Sequence, residues 1–144
     1  MKLLPRAIPL AQTGFQLLML GRRRQDLTPA QYRDHYENVH IPLMKNLTGE
    51  TFPESHVRHY IQRDHDPDAP PSCGANGDGN LEWPAALLMG EQSDFDFDAV
   101  AILTWRDKEH FDSNWAFFED EEFGKIIAED EAKFSEWVKG VFLQ

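Results

Sequence analysis

Tyr32, Tyr36 and His40 follow one another at intervals of four residues. On a helix that spacing sets them on roughly one face, where they can act together. His40 is followed by Ile41 and Pro42, which places it where the helix is expected to end, near the negative end of the helix dipole. An imidazole that titrates near neutral pH passes protons in both directions, and a neighbouring phenol can orient a substrate or donate a hydrogen bond. The spacing is open to two readings. One is a His–Tyr acid–base pair at a cleft; the other is a packed helix face with a satisfied histidine.

Other reactive side chains offer less. His35, His56 and His59 raise the question of a metal, but His56 and His59 stand three apart on a strand and face opposite sides. There is no HExxH or Cys–His spacing, and no metal is expected. Asp96 and Asp98 alternate ahead of a strand; paired carboxylates can do acid–base work, yet at a strand start these are expected to face solvent. The serines have no nucleophile-elbow context. Cys73 has no base near it in sequence. Gly74, Gly77 and Gly79 do not lie between a strand and a helix, so they match neither a dinucleotide nor a phosphate loop. Trp105, Trp115, Phe117, Phe118 and Phe123 are mostly expected in the core. Trp115 and Phe117, two apart on a helix, cannot both face a sheet, so some aromatic surface is left for a cavity or a partner. Such surface suits flat, apolar ligands.

These residues need a frame. The run 14–21, GFQLLMLG, reads as a strand. Thr28 caps a helix, with Pro29 at its first position and Gln31 completing a capping box; the helix is expected to run to 38–41, with Pro42 as its end or a kink. Residues 55–64 read as a second strand with His56, Arg58 and Tyr60 on one face and Val57, His59 and Ile61 on the other. Residues 65–93, rich in Pro, Gly, Asp and Asn, read as a long loop that is either a lid over a substrate or an insertion. Residues 97–105 form a third strand, 108–118 and 123–134 are helical, and the last residues can be a short edge strand. The order strand, helix, strand, strand, helix, strand is the βαββαβ arrangement of an α+β, ferredoxin-like fold.

The chain has 144 residues, the size of one domain, with 41% hydrophobic residues, enough for a core. Fourteen Lys and Arg against 25 Asp and Glu give a net charge of −11, which argues against nucleic acid and anionic membranes as partners. A single cysteine needs no oxidising compartment. Pro5, Arg6 and Pro9 break the apolar start too early for a secretion signal, and no apolar run approaches the roughly 20 residues of a membrane span. A cytoplasmic location is expected. Residues 1–13 read as an extended N-terminal arm ahead of a single domain over 14–144.

Two stretches carry a family resemblance. LGRRRQDLTPAQYRDHYENVHIPL resembles the first strand and helix of EthD-like proteins, in which a Thr-Pro helix start leads to a histidine followed two residues later by proline. FDAVAILTWRDKEHFDSNWAFFEDEEFGKIIAEDEAKF is similar to the family's third strand and second helical region, where an Asp opens the strand and an xxDExxF run, here Glu129-Asp130-Glu131 through Phe134, closes the helical part. The likeness spans about residues 14–136 and departs from the pattern in the long loop, the proline-containing arm, and a third strand, AVAILTW, without the glutamate of many bacterial members.

The resemblance implies ferredoxin-like protomers that dimerise sheet to sheet as a dimeric α/β barrel, each with a pocket between sheet and helices. Related fungal proteins of this length occur in aromatic polyketide pathways and are similar to decarboxylases or dehydratases. The resemblance therefore implies a cofactor-independent lyase of secondary metabolism acting on a small aromatic polyketide intermediate. His40, in the family's histidine position, is expected as acid/base, with Tyr36 as its catalytic companion. Tyr32, His59, Trp105, His110 and Trp115 are expected to bind substrate. A cofactor-free anthrone-type monooxygenase, a polyketide cyclase or isomerase, and a non-catalytic binding protein remain alternatives.

Overall fold

The computed structural model describes residues 14–69 and 79–144. Cys73 and the arm over residues 1–13 lie outside them. Four strands, β1 (Phe15–Arg23), β2 (Ser55–Tyr60), β3 (Ala99–Trp105) and β4 (Ser135–Leu143), form an antiparallel sheet in the order β2-β3-β1-β4. Between β1 and β2 run α1 (Pro29–His35), a π-helical turn (Tyr36–His40) and α2 (Ile41–Thr48). A single turn, α3 (Gly79–Glu82), precedes β3, and α4 (Lys108–Glu119) and α5 (Glu121–Glu131) connect β3 to β4. This is the ferredoxin-like α+β arrangement.

Strand alternation decides which side is covered. Ala99, Ala101, Leu103 and Trp105 point to one face of β3 and are all buried. Ala99 packs with Tyr32, Tyr36, Ile41 and Phe134, and Trp105 packs with Phe111, so both helical layers lie on that face. The opposite face carries Leu18, Leu20, Val100, Ile102, Val57 and Val141 in adjacent register. No described helix covers it, and Val57 and Val141 are 48% and 57% exposed.

Several expectations change. The helix does not stop near Pro42. It widens into a π turn in which the Ile41 N–H reaches back to the Tyr36 carbonyl, and then continues to Thr48. Proline lacks an N–H and its ring crowds the carbonyl four residues back; the wider turn accommodates both. β2 ends at Tyr60 rather than 64, and β4 is a nine-residue strand.

Asp98 does not face solvent. It is 3% exposed and clasped by two arginines: its Oδ1 accepts from Arg23 Nε at 3.2 Å and Arg63 Nε at 2.8 Å, and its Oδ2 accepts from the Arg23 backbone N–H at 2.9 Å. Two cations on one carboxylate explain how a charged residue is tolerated inside. Arg63 also donates to the carbonyls of Trp83, Phe95 and Phe97, and Arg23 donates to Asn80. The described roots of the 65–93 segment are thus fastened to the Arg23 end of the sheet.

Candidate functional site

The site begins with helix geometry. Thr28 Oγ accepts from the Gln31 N–H at 3.2 Å, Gln31 Oε1 accepts from the Thr28 N–H at 2.9 Å, and Pro29 sets the first turn. This start aims Tyr32 and Tyr36 at the sheet. Only glycine at position 21 admits the Tyr32 hydroxyl, because a Cβ there would lie 2.6 Å from it. The π turn then carries His40 inward, with its ring edge-to-face against Tyr36 at 5.8 Å. Tyr32, Tyr36 and His40 are all buried.

His40 is held by a partner 90 residues away. Its Nδ1 lies 2.8 Å from Asp130 Oδ2, and His35 Nε2 lies 3.0 Å from Asp130 Oδ1. A carboxylate only accepts, so the His40 proton sits on Nδ1 and its Nε2 is left as the base. Phe134 packs against both imidazoles, at 4.7 Å from His35 and 5.0 Å from His40. Burial drives the His40 pKa below its ordinary value, and the bond to Asp130 only partly offsets this. The ring is therefore neutral at pH 7 and able to take a proton.

Tyr36 is the companion. Its hydroxyl lies 3.4 Å from His56 Nε2, and burial pushes its pKa up to about 12, so it remains a hydrogen-bond donor. Burial also takes His56 down to about 3. The hydroxyl of Tyr32 and the Nδ1 of His56 are buried without a hydrogen-bond partner.

Two spaces adjoin these groups. A void of about 20 Å³ is lined by Tyr32, Tyr36, His40, Glu131 and Phe134 with Gly21 and Ala99. Beyond Met19, Val138 and Glu131, which border both spaces, a cleft of about 530 Å³ opens under α4. Its walls are Leu17, Leu103, Trp105, Phe111, Trp115, Phe118 and Phe142. That volume and lining suit a small, flat, apolar molecule.

The predicted residues divide. Tyr32, Tyr36 and His40 come together, and Trp105 and Trp115 line the cleft. His59 does not join them: it is exposed on the uncovered face of the sheet, and His56, one pleat face over, points at Tyr36. His110 does not line the cleft either. Its Nδ1 accepts from the Arg106 N–H at 3.2 Å and its Nε2 donates to the Glu50 carbonyl at 3.0 Å, so both nitrogens join the α4 start to the end of α2. No described residue of 61–98 lines either space, so the 65–93 segment shows no lid contact among the described residues. Sequence reasoning missed Asp130 and Glu131 as site residues. The signal was the acidic pair ahead of Phe134, and no local spacing ties it to His40. Among the described residues, no three His, Cys, Asp or Glu side chains have the geometry to hold a metal ion. No described helix is long and apolar enough to cross a membrane.

Several solved structures resemble the chain. An ethyl tert-butyl ether D (EthD) family protein from Bacillus halodurans superposes with a TM-score of 0.50 at 15% identity, over 91% of this chain and 97% of its own. An EthD-like protein from Ralstonia eutropha gives a TM-score of 0.47 at 14% identity, over 90% and 88%. A dimeric ferredoxin-like protein of unknown function from Thermobifida fusca gives 0.43 at 12%, over 93% and 94%. Among curated proteins none matches. The EthD domain model matches residues 24–136, which take in the helix bearing His40 and the Asp130 that holds it. The chain belongs to the EthD family.

Proposed function

We propose that the protein is a cofactor-independent lyase, a decarboxylase or dehydratase, acting on an aromatic polyketide intermediate. The observation that carries this reading is His40, locked by Asp130 with Nε2 free, in the wall of a small void that adjoins an aromatic cleft across Met19, Val138 and Glu131. The cleft receives the flat ring system and Tyr36 donates to a ketone oxygen. In dehydration, His40 Nε2 takes the proton beside the ketone, and the C–H electrons form the enolate. The bond to the β-hydroxyl then breaks, and the leaving oxygen takes the proton back from the imidazolium as water departs. In decarboxylation, His40 Nε2 takes the carboxyl proton of the β-keto acid, the bond to the carboxylate carbon breaks so that CO2 leaves and its electrons form the enolate, and the imidazolium returns that proton to the enolate carbon. Proton transfer of this kind is worth about 10²- to 10⁴-fold.

The uncovered apolar face of the sheet supports a second copy of the chain as partner, packed sheet to sheet. The test of the chemistry offers anthrone-type β-hydroxy ketones and β-keto acids to wild type and His40→Ala. Water loss is followed by mass, with CO2 release and O2 uptake measured together. Loss of water or CO2 that needs His40 and consumes no O2 is the expected result. Protein-dependent O2 uptake overturns it in favour of a monooxygenase. Activity that survives His40→Ala removes His40 from the mechanism.

A further inference from the structure

The cleft is apolar almost throughout, and its charge is one-sided. Glu131 stands in the wall common to both spaces, largely buried, and no hydrogen bond to its carboxyl is found among the described residues. The adjacent Asp130 points the other way, to the two histidines. Among the described residues, no cation balances Glu131 from within. Lys139 borders the cleft, but its neighbours Val138 and Gly140 are the β4 residues on the inner face; its ammonium lies over the Trp137 ring on the outer face, 4.2 Å from the centroid. His40 is already committed to Asp130 through Nδ1. Asn114 is engaged with Thr51.

We infer that Glu131 is a specificity residue: it makes the cleft select an uncharged planar aromatic whose hydroxyl donates to its carboxyl, and reject a carboxylate. The physics is charge complementarity. Burial, and then the neighbouring Asp130, raise the Glu131 pKa; a carboxylate brought beside it meets a like charge where Glu131 is ionised, and in either state finds no described cation to offset its own desolvation. A phenol, enol or alcohol supplies the donor that the carboxyl lacks, and leaving that donor out costs a charge-assisted hydrogen bond. The inference rests on the lyase reading for its consequence: of the two reactions, it selects dehydration of a neutral hydroxy ketone over decarboxylation of a β-keto acid, which is anionic at pH 7.

Binding tests it without turnover, so its outcome and that of the lyase assay are separable. The full chain is titrated with 9-anthracenemethanol, 9-methylanthracene and anthracene-9-carboxylate at pH 7.5, read by quenching of tryptophan emission, since Trp105 and Trp115 line the cleft. The alcohol is expected to bind at least about tenfold more tightly than the carboxylate. Glu131→Gln is expected to bring the two within about threefold, and Glu131→Leu to erase the alcohol's advantage over the methyl compound. Circular dichroism and thermal melting confirm that both variants fold; if one does not, the other is read alone. Equal binding of alcohol and carboxylate by wild type, an unchanged gap in Glu131→Gln, or no binding of any probe overturns the inference.

Discussion

Asp130 governs what His40 can do more than the identity of the imidazole does. Asp130→Asn keeps the shape but offers an amide that can donate to Nδ1, and the ring then carries its proton on Nε2, facing the wrong way. We expect kcat on a turned-over substrate to fall by about 10²- to 10⁴-fold with KM little changed. Because burial holds His40 below 6.5, the acid limb of kcat/KM is expected below pH 6.5, with activity flat above it; a limb at or above 6.5 refutes a neutral buried base. At this scale the sequence was half legible. Tyr32, Tyr36 and His40 share one helix, so their spacing shows them. Asp130 is paired with His40 only by the fold. Alternation separates His56 from His59 but does not say which of the two faces the helices cover.

Where β1 meets α1, one contact sets the position of the aromatic face. A methyl at Gly21 would meet the Tyr32 hydroxyl, which is buried and has no hydrogen-bond partner. Gly21→Ala is expected to cost about 1–3 kcal/mol in chemical denaturation. Tyr32→Phe is expected to be near neutral, since it removes a buried hydroxyl without a partner. The double variant is expected to recover most of the loss, and strict additivity would refute the contact. A second tie joins β2 to the π turn: Glu37 accepts two hydrogen bonds from Arg58 and one from the Tyr60 hydroxyl, and its pKa falls from 4.5 to about 2, chiefly through the Arg58 bonds. A depressed carboxyl contributes stability that is present above pH 4.5 and is lost as the pH falls toward 2. Glu37→Gln is therefore expected to flatten the stability profile across that window. The capping box at Thr28 and Gln31 was plain in the sequence. The π turn was not, because Pro42 reads equally as a stop until the following turns are seen to continue.

The whole molecule has one finished face and one unfinished one. If a second copy covers the unfinished face, Ile102→Lys combined with Val141→Lys is expected to turn a dimer into a folded monomer in sedimentation. A monomeric wild type at micromolar concentration would refute that assembly. The strand and helix order was legible because each element keeps one hydrophobic period along its length. The clasp on Asp98 was hidden, because its two arginines come from β1 and from beyond β2.

That clasp has an evolutionary consequence. Arg23, Arg63 and Asp98 fix both roots of the segment between β2 and β3, with Arg63 also holding three carbonyls on the returning side. The chain between the roots can then lengthen or shorten at little thermodynamic cost, since closure entropy grows slowly with loop length. Relatives are expected to differ most in length here while keeping the three charged anchors. Arg63→Leu is expected to melt well below wild type, since it leaves the Asp98 carboxylate with one of its two cations and three carbonyls without a donor.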